Sequence, residues 1–177
     1  RIERLITDYS QMLKDEVALS KEQMKKLDIQ QIIQSVVDDY NNIYKFKKNI
    51  SINYQNDGKS EYLINGIENR IEQIIANLLD NYISFSDNGS EVIVNVSNGL
   101  EKKVIVKILD EGQGFKEKDT SKIFNRFYSN RPENFGEHSG LGLNIVKNLV
   151  ELHDGKIEAS NRLDKQGAMI EIKFPSL

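Results

Sequence analysis

The sequence predicts an α/β domain in which amphipathic helices mix with short strands and the chain closes on a β-hairpin. Three observations lead there. Apolar residues recur at three- and four-residue spacing over 69–85, β-rich runs at 91–97 and 103–109 flank Asn98-Gly99, and a second pair of β-rich runs, 156–160 and 168–174, follows a glycine-bounded helix. A chain of 177 residues suffices for one domain with a real core plus an appendage. Its 38% hydrophobic and 29% charged residues argue for a folded, soluble piece.

Each element has its own signal. Over residues 1–20, Ile2, Leu5, Ile6, Tyr9, Met12 and Leu13 mark one apolar helical face. The polar stretch 20–26 reads as a connection, which divides the chain into residues 1–25 and 26–177. Asp28 is placed as the N-cap of a helix whose buried side is Ile29, Ile32, Ile33, Val36, Val37 and Tyr40. The runs 49–55 and 61–67, around Asn56-Asp57-Gly58, read as paired strands. In the helix over 69–85, Ile71, Ile74, Ile75, Leu78, Leu79 and Tyr82 are apolar while Gln73, Asn77, Asn81 and Ser84 share a polar face. The runs about Asn98-Gly99 form a hairpin with those two residues as its turn. Residues 116–139 lose periodicity and carry the aromatic cluster Phe124, Phe127 and Tyr128, the character of a lid. Gly140 opens a helix through Leu152, and Asp154-Gly155 ends it.

Composition excludes several functions. The net charge of -3, with both signs mixed along the chain, leaves no basic stripe for nucleic acid. No apolar run approaches the roughly 20 residues of a membrane span, so no membrane contact is expected of this piece. Cysteine is absent, which removes disulfide and thiolate chemistry, and two histidines alone do not build a usual zinc site. The start at Arg1, partway into an apolar helical pattern, reads as a cut from a longer protein.

Several residues invite chemistry. Asn77 and Asn81 lie one helical turn apart, and an amide oxygen is a hard ligand suited to Mg with its phosphates; taken alone, the pair reads rather as buried amides fastening neighbouring loops. Asp110 ends a strand before alternate glycines, where a carboxylate can meet the edge of a planar ligand, accepting adenine's amine and refusing guanine's carbonyl. A strand-end Asp in a glycine turn is the plainer alternative. Gly140-Leu141-Gly142-Leu143 offers backbone N–H groups and a positive helix end to phosphates, or simply an ordinary helix entry. Gly58-Lys59-Ser60 imitates a Walker A ending but has Asn53 where the first glycine belongs, and Gly112 and Gly114 lack the third glycine of a dinucleotide fingerprint. Arg126 and Arg131 are the cations of the lid segment. His138 lies in that same segment, and His153 sits at a helix C-terminus where it complements the dipole.

Order and spacing join these signals. Asn77-Leu78-Leu79-Asp80-Asn81, Asp110-Glu111-Gly112-Gln113-Gly114-Phe115, Ile123-Phe124-Asn125-Arg126-Phe127-Tyr128 and Ser139-Gly140-Leu141-Gly142-Leu143-Asn144 resemble the asparagine, first glycine, phenylalanine and second glycine boxes of sensor histidine kinases. His153-Asp154-Gly155-Lys156-Ile157 and Gly167 extend the likeness, and the stretch 127–133 looks most like the ChvG/ExoS-type subgroup.

The resemblance implies a two-layer α/β sandwich of the GHKL type, with a mixed sheet and a mobile ATP lid. It implies that residues 1–25 end the second dimerisation helix and that 26–177 form the catalytic ATP-binding domain. Asn81 would coordinate Mg and Asn77 support the phosphates; Asp110, Gly112, Gly114 and Phe115 would serve the base. Gly140, Leu141, Gly142 and Leu143 would hold the phosphates, and Arg126 or Arg131 would supply charge. The ligands implied are ATP and Mg. The partners implied are the parent's own histidine-bearing dimerisation domain and a response regulator, within a homodimer. The place implied is the cytoplasmic side of an inner-membrane sensor. Related ATPases carry a water-activating Glu where Asn77 stands, so transfer is favoured over hydrolysis. The chain departs from the pattern at Tyr82 (usually Ala), Ser84 (often basic), His138 (commonly Gly) and Ala168 (often Thr or Ser). Neither histidine lies in the phospho-acceptor context, so the chain is not expected to phosphorylate itself. Two other readings remain: a different enzyme of the same fold, such as an anti-sigma serine kinase, and a degenerate interaction module.

Overall fold

The computed structural model describes residues 6, 7, 10, 22–59, 61–128 and 140–177. Of the expected first helix, Ile6, Thr7 and Ser10 are described, and all three are helical; the rest of it lies outside the described residues.

Strand β1 (Lys25–Asp28) runs directly into helix α1 (Ile29–Lys47). Asp28 Oδ1 accepts the Gln30 N–H at 3.1 Å, the N-cap its place before the apolar run predicts. The expected inner face of α1 is buried at Ile29, Ile32, Ile33, Val36 and Val37. Sequence reading treats residues 20–26 as connection and misses β1, whose four residues carry a single apolar side chain, Leu27, too little to register a period of two.

The expected pairing of the next two strands does not form. Strand β2 (Ser51–Asn56) lies parallel to β4 (Glu91–Gly99), whereas β3 (Leu63–Gly66) pairs antiparallel with β1 in a separate two-stranded sheet. Asp57 explains the parting: its N–H bonds Val96 O at 3.2 Å and its Oδ2 accepts the Asn98 N–H at 3.0 Å, fastening the end of β2 to β4. Buried Tyr62 donates its hydroxyl to Asp57 Oδ1 at 2.5 Å and its backbone N–H to Asp28 Oδ1 at 3.2 Å, which turns the chain toward β1.

Helix α2 (Glu68–Phe85) buries the whole expected apolar set from Ile71 to Tyr82. Strands β4 and β5 (Lys103–Leu109) form the expected hairpin, but its turn is Leu100-Glu101-Lys102, with Glu101 and Lys102 at φ 57° and 53°. Gly99 is a strand residue: a Cβ there would lie 2.5 Å from Ile105 Cδ1, so close packing, not turn geometry, accounts for it. A 3-10 helix (Thr120–Phe124), helix α3 (Gly142–Leu152) and strands β6 (Lys156–Asn161) and β7 (Ala168–Pro175) complete the chain.

The main sheet has the order β2-β4-β5-β7-β6, parallel between β2 and β4 and antiparallel elsewhere. Burial alternates strictly along β5 and β7. Val104, Val106, Ile108, Ile170, Ile172 and Phe174 form one fully covered face, joined in a single core with the apolar sides of the three helices. The result is the expected mixed-sheet, two-layer α/β architecture.

Candidate functional site

Strand β5 ends at Leu109, and Asp110 follows it into a tight turn. Its carboxylate is buried, with the residue 5% exposed. Oδ1 accepts two backbone N–H groups, Ala168 at 2.7 Å and Gly112 at 3.1 Å, while the Asp110 N–H donates to Ala168 O at 3.1 Å. No described residue engages Oδ2, which remains as an acceptor at the sheet's end. Ala168, a departure from the resembled pattern, therefore acts through its backbone.

The loop between β6 and β7 holds this turn from the other side. The Arg162 guanidinium donates to Asp110 O at 3.0 Å and pairs with both oxygens of Asp164 at 3.0 and 2.6 Å. That pair holds the Asp164 carboxyl down to about 2 and raises the Arg162 guanidinium from its ordinary value. Asn161 accepts the Phe115 N–H at 2.6 Å and donates to Phe115 O at 3.0 Å, and Lys165 pairs with Glu111. Two glycines are sterically required. A Cβ on Gly167 would lie 2.1 Å from Asp110 O, and one on Gly114, at φ 76°, would lie 2.6 Å from Asn161 Oδ1. Sequence reasoning names Asp110, Gly112, Gly114, Phe115 and Gly167 but misses Asn161, Arg162, Asp164 and Lys165. Their only signal is a charged run just before a glycine.

Helix α2 carries Asn77 and Asn81, both half-buried, on the expected face. Between α2 and β5, Tyr82 is buried and donates its hydroxyl to Ile108 O at 2.8 Å, two residues before Asp110. Burial, then the nearby Asp110 charge, pushes this phenol well above its ordinary value, so it stays a neutral donor. Ser84, in the position often basic in the resembled family, donates to Asn81 O at 2.6 Å.

The second glycine box splits into two roles. Gly140 precedes the helix, at φ 76°, and a Cβ there would lie 2.8 Å from Tyr128 O. Helix α3 begins at Gly142, two residues later than expected, because that left-handed backbone at Gly140 cannot enter a right-handed helix. Leu141 is buried as the N-cap residue, Leu143 packs on the core, and a Cβ on exposed Gly142 would meet nothing within 4 Å.

The described part of the expected lid segment packs on the domain. Ile123 and Phe124 are core residues, Thr120 Oγ1 donates to Ala159 O at 2.5 Å, and Asn144 Nδ2 donates to Phe124 O at 3.0 Å. The segment is thus docked through Tyr128, whose ring packs on the core, with Arg126 on its exposed side. Residues 129–139, with Arg131 and His138, lie outside the described residues. His153 departs from the cationic role expected of it. It is 4% exposed, its Nε2 accepts the Ile67 N–H at 3.1 Å, and Nδ1 lies 2.7 Å from Leu149 O. One ring nitrogen accepts and the other donates, so the ring is neutral, and burial lowers its pKa. It pins the end of α3 to the start of α2.

Residues 66–177, which carry all of this geometry, match the family of histidine kinase-, DNA gyrase B- and HSP90-like ATPases. The chain belongs to that family. Among curated members it is 35% identical to the sensor protein ChvG of Agrobacterium fabrum, an alignment covering 98% of this chain and 30% of ChvG. The chain therefore spans about three-tenths of the length of such relatives. Among solved structures its fold is similar to that of the catalytic domain of histidine kinase ThkA, with a TM-score of 0.75 at 22% identity over 88% of this chain and 97% of that one. It is equally similar, at TM-score 0.75 and 22% identity, to histidine kinase ThkA in complex with response regulator TrrA, over 99% of this chain and 49% of that one. The expected GHKL-type fold and the subgroup likeness to ChvG both agree with these matches.

Proposed function

We propose that this chain is the catalytic domain of a sensor histidine kinase: it binds Mg-ATP and passes the γ-phosphoryl to a histidine on a dimerisation domain. The observation that carries the reading is the Asp110 carboxylate, buried at the sheet's end with Oδ1 bonded by two backbone N–H groups and Oδ2 left to accept. An acceptor so placed suits adenine's exocyclic amine and disfavours guanine's carbonyl. Gly112, Gly114 and Phe115 would border the base.

The phosphates would lie between α2 and the start of α3, beside the exposed Gly142, where among the described residues a Cβ would meet nothing within 4 Å and no side chain caps the helix start, whose first N–H groups lack partners within the helix. Asn81 would hold Mg through its amide oxygen, with Asn77 supporting the phosphates one turn earlier. When bound, Mg supplies positive charge to the β- and γ-phosphate oxygens. Arg126 and Arg131 are the candidate cations on the lid side. In the transfer, the bond from the γ-phosphorus to ADP's terminal oxygen breaks and one to an imidazole nitrogen forms, so positioning and charge do most of the work. Asn77 cannot act as a general base, which leaves water unactivated. His153 is unsuited to accept, both ring nitrogens being engaged in the core.

Residues 1–25 are assigned to the end of a dimerisation helix and a linker. The whole protein is assigned as a homodimeric inner-membrane sensor with this domain in the cytoplasm and a response regulator as partner. No described helix is long and apolar enough to cross a membrane.

The test incubates the chain and γ-labelled ATP with a separately purified, histidine-bearing dimerisation domain of its parent. Acid-labile label on that domain, absent with Asn81→Ala, is expected. Acid-stable label on serine would replace this reading with the serine kinase, and release of phosphate to water without transfer would replace it with an ATPase.

A further inference from the structure

The Arg162 side chain is 4% exposed although its partner Asp164 is 64% exposed. A buried guanidinium in a hairpin loop needs a reason, because the methylenes alone would pack at lower cost. Its hydrogen bonds among the described residues serve one end: two fix its plane against Asp164, and the third grips Asp110 O. Among the described residues Asp110 is then held at every polar atom but one, its N–H and Oδ1 by Ala168 and Gly112 and its carbonyl by Arg162. The remaining atom is Oδ2.

We propose that Arg162 is a positioning residue for base selection: by holding the Asp110 carbonyl it fixes the direction of Oδ2, and Asp164 holds the guanidinium in that pose. The proposal rests on the ATP-binding reading above. The neighbouring links act elsewhere, since Asn161 fastens Phe115 and Lys165 fastens the exposed Glu111. Without Arg162 a part-buried carbonyl loses its donor, and the turn through Gly112 can rotate. Oδ2 then meets adenine's amine at poorer geometry, while the phosphate-binding groups on α2 and α3, outside this network, are unaffected.

A staple that merely supports the fold would weaken every ligand alike; a positioning residue changes their ratio. The full chain and its Arg162→Met, Arg162→Lys and Asp164→Asn variants are titrated with non-hydrolysable ATP, non-hydrolysable GTP and inorganic tripolyphosphate, with thermal melts to verify folding. In Arg162→Met, ATP affinity is expected to fall about tenfold or more, as for loss of one charge-assisted hydrogen bond, with GTP and tripolyphosphate within about twofold of wild type. Arg162→Lys should recover part of the ratio, and Asp164→Asn should lower it less. An unchanged ATP-to-GTP ratio in folded Arg162→Met, or equal loss for all three ligands, overturns the proposal while leaving ATP binding intact. If Arg162→Met does not fold, Asp164→Asn decides by the same ratio. A folded wild type that does not prefer ATP overturns the underlying reading as well.

Discussion

The Asp110 end and the Gly142 end of the proposed site are built on opposite plans. Around Asp110 the backbone is bonded to saturation, and glycines sit where no side chain would fit. At the other end the Asn77 and Asn81 side chains are half-buried, and a Cβ on exposed Gly142 would meet nothing within 4 Å among the described residues. The proposed base end is pre-organised by the protein's own hydrogen bonds, whereas the proposed phosphate end is a helix start with room for a charged ligand beside Gly142. Substitutions of one kind should therefore act differently at the two ends.

The largest effect is expected from Gly167→Ala. A Cβ 2.1 Å from Asp110 O, on a backbone at φ 148° that side chains rarely adopt, should cost about 3 kcal/mol or more and abolish nucleotide binding; urea midpoints and calorimetry read both. Next is Asp110→Asn, which can still accept at Oδ1 but presents an amide NH2 where Oδ2 stood. Stability should change little, while ATP binding weakens by about 1.5–3 kcal/mol and GTP gains relative to ATP.

His153→Phe should lose about 1–3 kcal/mol of stability, because the buried Ile67 N–H and Leu149 O lose their partner. The histidine also makes a pH signature. Its folded pKa lies below the unfolded value of 6.5, so the unfolded chain binds more protons in the interval between the two. Wild-type stability should be full above pH 6.5 and decline as pH falls through that interval, and the variant should lack this component. Urea melts across pH 5–8 would show it.

The smallest effect on stability is expected from Gly142→Ala, a change of under about 1 kcal/mol and in the stabilising direction for a helix residue with room for its methyl. Its triphosphate affinity should nonetheless fall, since a methyl would occupy the approach to the helix N–H groups. Loss of stability at Gly142 comparable to that at Gly167 would erase the contrast between the two ends.

The sequence disclosed what periodicity and spacing encode. The apolar rows of α1 and α2, the β4–β5 hairpin and the shared face of Asn77 and Asn81 were all legible. Partner choice was not: β2 and β3 read as neighbours because both lie beside a turn, yet Asp57 and Tyr62 send them to different sheets through contacts distant in sequence. Two buried residues, Ile123 and Phe124, are too few to distinguish a docked 3-10 helix from a lid. Arg162 was hidden for a further reason. A side chain that acts on a backbone carbonyl 52 residues away has no period or motif of its own, and from sequence it is one more charge in a polar turn.

The most direct measurement is calorimetric titration of the chain with a non-hydrolysable ATP analogue, with and without Mg, beside GTP and the variants Asn81→Ala and Asp110→Ala. Adenine-selective binding that Mg strengthens is expected, with Asn81→Ala losing the Mg enhancement and Asp110→Ala losing the preference for adenine. No binding at millimolar nucleotide by a folded chain would contradict the kinase-domain reading and leave an interaction module in its place.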